Sequence, residues 1–225
     1  MTFKDFKDML TAEFPSVSDE MMARYEAMES LYRDWNSKIN VISRKDMDGF
    51  YPHHVLHSLA IAAYWQRAGI TPPATVLDVG TGGGFPGIPL AVMFPGTRFT
   101  LCDSIGKKTL VAREVSAALG LTNVEVVNAR AETLPGPFEA VVSRAVTTLD
   151  NFYPWVKNNC KGSIYYLKGG DVNEEIAVLM GNRRLRKGSV HTWRVDNWLS
   201  DEYFEEKFVI QIEKDYLCSP IAENI

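Results

Sequence analysis

Asp78-Val79-Gly80-Thr81-Gly82-Gly83-Gly84-Phe85-Pro86-Gly87 is the stretch from which the fold of this 225-residue chain can be read. It continues Thr75-Val76-Leu77, and the run Thr75–Gly80 is short, apolar and β-branched, as a buried parallel strand should be. Glycines at 80, 82 and 84 directly after that strand let the backbone turn tightly and approach a ligand that a Cβ would exclude. A helix starting near Pro86 would aim its free N–H groups at the same place. Asp103 closes the next strand-like run, Arg98–Asp103, about 20 residues beyond the loop, where an acid accepts hydrogen bonds from ribose hydroxyls. Strand, glycine bend, helix and second acid together predict an adenosine-binding crevice.

The glycines alone leave the ligand open, because Gly82-x-Gly84-x-x-Gly87 also satisfies the dinucleotide fingerprint. Asp78 argues for a different nucleotide. A carboxylate at the strand's end would repel a pyrophosphate and suits a cationic ligand end. S-adenosylmethionine has such an end, carrying an ammonium and a sulfonium but no phosphate.

Outward from the loop the pattern repeats. Strand-like runs recur at Val124–Val127, Ala140–Ser143 and Ser163–Leu167, separated by helix-length segments, most clearly Lys107–Leu119 closed by Gly120. Alternating strands and helices predict an α/β chain with a doubly wound, mostly parallel sheet. Ser189–Val195 and Lys207–Glu213 read as strands with no helix between them, so an antiparallel C-terminal edge is expected. Towards the N-terminus the period changes to that of helices: Met21, Tyr25, Met28, Tyr32 and Trp35 line one face behind an Ser18 N-cap, and this stripe should pack a helical extension against the sheet. A second helix is expected to begin at Pro52, and Gly69 with Pro72-Pro73 marks a junction. The predicted organisation is a helical extension over 1–73, a ligand-binding core over 74–215 and a tail over 216–225.

Apolar residues make up 46% and charged residues 23%, which excludes a disordered or collagen-like chain. Cys102, Cys160 and Cys218 are isolated, so neither a disulfide framework nor a zinc cluster is expected. No apolar run is long enough to span a bilayer, and Lys4, Asp5, Lys7 and Asp8 interrupt any signal peptide, so a cytoplasmic protein without membrane contact is expected. The net charge of −4 is spread evenly along the chain, which argues against a coat-type nucleic-acid binder but not against an enzyme touching RNA through one local patch.

The chain resembles a known family at this point. Asp78–Leu90 looks like the first motif of the class I methyltransferases, and specifically that of the small-subunit ribosomal RNA methyltransferase G family, also called glucose-inhibited division protein B. The likeness extends through Trp35-Asn36, Asn40, His54, Ser58, Asp103-Ser104, Lys107-Lys108, Arg130-Ala131-Glu132, Ser143-Arg144-Ala145 and Leu167-Lys168-Gly169, in order over roughly 30–215. The resemblance implies a Rossmann-like class I methyltransferase fold in a cytoplasmic bacterial enzyme. Its reaction would move a methyl group from S-adenosylmethionine to N7 of one guanine in 16S ribosomal RNA, free or within the small-subunit particle. Gly80, Gly82, Gly84 and Asp103 are the cofactor-binding candidates from the loop and the second strand; carried over by position, the resemblance implies that Gly80 and Phe85 line the methionine and adenosine side, that Ala131 and Glu132 meet the adenine, that Arg144 borders both cofactor and target, and that His54 borders the active site. A monomer is expected. His57 stands where the family usually has Asp, so any role of that acid does not transfer.

Guanine N7 presents an in-plane lone pair, so this chemistry needs no dedicated general base. It needs N7 held in line with the methyl group and the guanine edge fixed, and O6 is the atom left for a donor. Lys168, at the carboxyl edge of the sheet with Arg144 nearby, is the candidate for that contact or for the target's phosphate; a solvated lysine before Gly169-Gly170 is the plainer reading. His53, His54 and His57 have helical spacings but lack H-E-x-x-H and a cysteine partner, so no metal is expected. Arg183, Arg184, Arg186 and Lys187 read first as a solvated face and second as an RNA contact. Two other functions compete: an NAD-dependent oxidoreductase on the same fold, and a non-catalytic ribosome-associated protein with a vestigial pocket.

Overall fold

The computed structural model describes residues 1–43 and 45–214; the predicted tail over 216–225, Cys218 included, lies outside the described residues. Thr75–Val79 (β1) runs at the centre of a sheet, with Arg98–Asp103 (β2) and Phe138–Arg144 (β4) on either side in parallel register, Val76 facing Phe99 and Ala140. Val124–Asn128 (β3) pairs outside β2 and Cys160–Gly169 (β5) outside β4, both parallel. Lys207–Glu213 (β7) then pairs antiparallel with β5, and Val190–Arg194 (β6) antiparallel with β7, giving the order β3-β2-β1-β4-β5-β7-β6. The antiparallel edge predicted from two helix-free strands is therefore present. Chain order reverses between β1 and β4, which makes the carboxyl ends of these strands the place for a crevice in an open α/β sheet.

Period-two alternation divides the core. Val76, Phe99, Leu101, Ala140 and Val142 face one layer, whereas Leu77, Cys102, Val141, Ile164 and Tyr166 face the other. The first layer holds Phe3–Glu13 (α1), Asp19–Lys38 (α2), His57–Arg67 (α3), Gly87–Met93 (α4) and Gly106–Ala118 (α5); the second holds Leu149–Val156 (α6) and Asn173–Arg183 (α7). Between β3 and β4 the expected helix is missing. A single 3₁₀ turn, Ala131–Thr133, fills the gap, because Pro135 and Pro137 flank Gly136 where a helix would have to continue.

The apolar stripe of α2 is buried as its spacing predicts, with Tyr25, Met28 and Tyr32 fully enclosed behind the Ser18 cap. It packs chiefly on α4 and α5, which themselves lie on β2 and β3. Tyr25 donates to the carbonyl of Pro89 and Tyr32 to that of Gly83, at 2.9 and 2.8 Å, so the N-terminal helices are sewn to the glycine loop and the helix after it. Pro52 does not open a helix. It lies inside a π-helical segment, Phe50–Leu56, that runs straight into α3; as the third residue of that segment its missing N–H has no intrahelical acceptor to lose.

Candidate active site at the carboxyl edge of the sheet

The glycine loop is shaped from below by Asp78. This carboxylate is fully buried, accepts the Thr81 hydroxyl at 2.6 Å and the Gly87 amide at 2.8 Å through Oδ2, and leaves Oδ1 without a partner among the described residues. Burial pushes its pKa up to about 7, against the two hydrogen bonds that favour the charged form. Asp78 thus folds the loop from beneath and is not part of the cavity lining. Nor does the following helix offer free N–H groups: Gly87 donates to Asp78, and Ile88 donates to the Gly84 carbonyl at 2.7 Å.

Above the loop a cavity of about 500 Å³ opens between the ends of β1, β2, β3 and β4. Gly80, Asp103, Ala131, Glu132 and Arg144 all line it, so five of the residues singled out from sequence converge. Gly80 has a φ of +69°, and a Cβ there would stand 2.4 Å from the Val146 side chain on the opposite wall, so both conformation and space require glycine. Asp103 accepts the amides of Gly82 at 3.0 Å and Ile105 at 2.8 Å, one on each oxygen, which leaves lone pairs on both for a further donor. Asn159 holds the carbonyl of Ala131 at 2.7 Å. Sequence reasoning passed over Ile105 and Val146, two exposed apolar side chains on the lining, because isolated aliphatic residues after a strand carry no chemical signature.

Other predicted residues stand off the cavity lining. Gly84 packs against Ile88 and the Tyr32 hydroxyl, and Gly82 ties its amide to Asp103 with open space where a Cβ would be. Phe85 lies under Arg144, whose guanidinium carbon is 5.2 Å from the ring centre. The same guanidinium donates to the His53 carbonyl at 3.2 Å and faces His54 Nδ1 at 3.3 Å, so His54 accepts there and its proton resides on Nε2, which is buried and unpartnered among the described residues. Burial, helped by Arg144, lowers His54 to about 3, and burial holds His57 well below its usual range, so both rings are neutral. His57 faces the Tyr203 hydroxyl at 3.4 Å. Lys168 is largely buried and committed, at 2.7 Å from Glu175 and 3.1 Å from the Thr147 carbonyl. Arg183 pairs with Asp150 while its neighbours in the basic run stay exposed. No group of three His, Cys, Asp or Glu side chains is arranged for a metal, and no helix is long and apolar enough to cross a membrane, among the described residues.

Residues 21–195 match the family GidB, described as rRNA small subunit methyltransferase G. A ribosomal RNA small subunit methyltransferase G from Christiangramia forsetii is 42% identical over 93% of this chain and 98% of its own length. One from Bacteroides fragilis is 45% identical over 91% of this chain and 98% of its own. Among solved structures, the magnesium protoporphyrin IX methyltransferase from Synechocystis PCC 6803 with bound S-adenosylmethionine superposes with a TM-score of 0.59, covering 88% of this chain and 99% of that one at 14% identity, a likeness of fold.

Proposed function

Because this chain belongs to the rRNA small subunit methyltransferase G family, we propose that it methylates N7 of a single guanine in bacterial 16S ribosomal RNA, in the cytoplasm. It is a methyltransferase, and the methyl donor is S-adenosylmethionine. When bound, that donor supplies an electrophilic methyl group on a sulfonium. The cavity fits it: Asp103 keeps free lone pairs for ribose hydroxyls, Ile105 and Ala131 offer apolar surface to a purine, and Gly80 leaves the space that a Cβ would fill. Asp103, Gly80, Ala131 and Glu132 are the proposed donor contacts. Gly82, Gly84 and Phe85 serve the same end by fixing the loop and the floor under Arg144.

The observation that carries the reading is Arg144. It lines the cavity, yet its guanidinium is fixed by the His53 carbonyl, by neutral His54 and by the Phe85 ring. Such a rigid donor suits the guanine edge at O6, orienting the base so that N7 meets the methyl group in line. His54, with a pKa near 3, is far too weak a base to remove a proton at neutral pH, and an attack by the N7 lone pair asks for none.

The test is nucleotide mapping of 16S rRNA from cells with and without this protein. One 7-methylguanosine present only with the protein is expected, and identical modification patterns would overturn the proposal.

A further inference from the structure

β4 ends on Arg144, and the next residue, Ala145, has a φ of 47°, a left-handed conformation that residues with a Cβ avoid. Arg144, Ala145 and Val146 all line the cavity, so the strained residue sits in its wall. Such a conformation persists where its surroundings impose it. Ala145 and Val146 are exposed residues, but the backbone amides of Val146 and Thr147 turn inward: both donate to the hydroxyl of Tyr166, at 2.8 and 3.0 Å, and that hydroxyl donates to the Thr147 carbonyl at 2.8 Å.

Tyr166 is on β5, fully buried, its ring edge-on to Phe152 at 4.8 Å. Two residues on, Lys168 reaches the same Thr147 carbonyl and pairs with Glu175 of α7, whose carboxylate takes the Leu149 amide. The Ala145 amide donates to the Leu167 carbonyl at 3.1 Å. Successive backbone groups of 145–149 are thus pinned by one strand and one helix. None of the three clamping side chains lines the cavity.

We propose that Tyr166, backed by the Lys168–Glu175 pair, is a positioning residue for methyl transfer, holding the Arg144–Val146 wall in register with donor and base, and that Lys168 acts through this loop and not on the RNA. The proposal rests on the methyltransferase reading above. A hydroxyl that only stabilised the fold would, when removed, lower the melting midpoint and leave kcat of the still-folded variant unchanged. Misplacing a reacting group by about 1 Å can cost about a hundredfold in rate.

Tyr166→Phe keeps the ring and removes the clamp. Expected are a melting midpoint lowered by several degrees with the chain still folded at the assay temperature, exchange of the Val146 and Thr147 amides faster by about tenfold or more, and kcat lower by about tenfold with the KM for RNA nearly unchanged. Lys168→Met should likewise lower kcat with KM unchanged, and Lys168→Arg, which can keep the ion pair, should recover most of that loss. Unchanged amide exchange in Tyr166→Phe overturns the clamp, and parent-like kcat with faster exchange overturns the positioning role. A raised KM for RNA with parent-like kcat in Lys168→Met would make Lys168 an RNA contact and overturn it too. A parent chain inactive on RNA would sink the methyltransferase reading itself, a result distinct from an active parent whose variants match it.

Discussion

Gly80 and Asp78 are two residues apart and do opposite jobs. Gly80 faces the cavity, where its missing Cβ is the space between two walls; Gly80→Ala should weaken donor binding by about tenfold or more by calorimetry, since the new methyl meets Val146 in a backbone conformation alanine disfavours. Parent-like affinity would show that the donor does not pass Gly80. Asp78 faces inward and sets a pH dependence. Its folded-state pKa is raised, so its contribution to stability is fully present below the unfolded value near 4 and is lost as pH rises through about 7. Asp78→Asn removes that slope. The stability of this variant relative to the parent should rise between about pH 5 and about pH 8 in denaturant titrations, whereas a pH-independent difference would mean that Asp78 is ionised throughout. From sequence both residues read as ligand contacts; which of two neighbours points up and which down depends on the loop's path, and Thr81 and Gly87 closing on Asp78 from different turns is a tertiary fact.

The strands and the helices between them were legible because their periods are strong. Lys107–Leu119 was read one residue late against α5, and Lys207–Glu213 coincides with β7. Two elements were not legible. The π-helical segment Phe50–Leu56 follows from no local pattern; within it Phe50 and His54 pack on Phe85, which lies under Arg144. The absent helix between β3 and β4 was announced by Pro135, Gly136 and Pro137, punctuation outweighed by the expectation of regular alternation. The link between α2 and the glycine loop is a further element-scale feature with a testable cost. Tyr32→Phe leaves the Gly83 carbonyl without its buried donor and should cost about 1–2 kcal/mol in urea unfolding, with weaker donor binding alongside; unchanged stability would mean the hydrogen bond contributes nothing.

Taken as a molecule, the chain carries a modest, evenly spread negative charge, so its hold on RNA has to come from a local patch: Lys108 and Arg130 at the cavity, with the exposed arginines beyond α7 as a second group. RNA affinity should therefore fall with salt on a shallow slope, about −3 on logarithmic axes, and a slope steeper than about −6 would reveal a larger basic surface. Residues from β1, β2, β3, β4 and the π-helical segment meet at one edge of the sheet, and five of the predicted site residues line the cavity there because the order of elements was readable. The clamp behind Arg144 was not, since Tyr166 reads as one more apolar position in a buried strand. The whole account turns on what leaves the enzyme. Purified protein should be incubated with S-adenosylmethionine carrying an isotopically labelled methyl group and with small-subunit ribosomal RNA, and the RNA digested to nucleosides for mass spectrometry. Label in 7-methylguanosine alone, lost in Arg144→Ala, is the predicted result; label in any other nucleoside, or none in RNA, would contradict it.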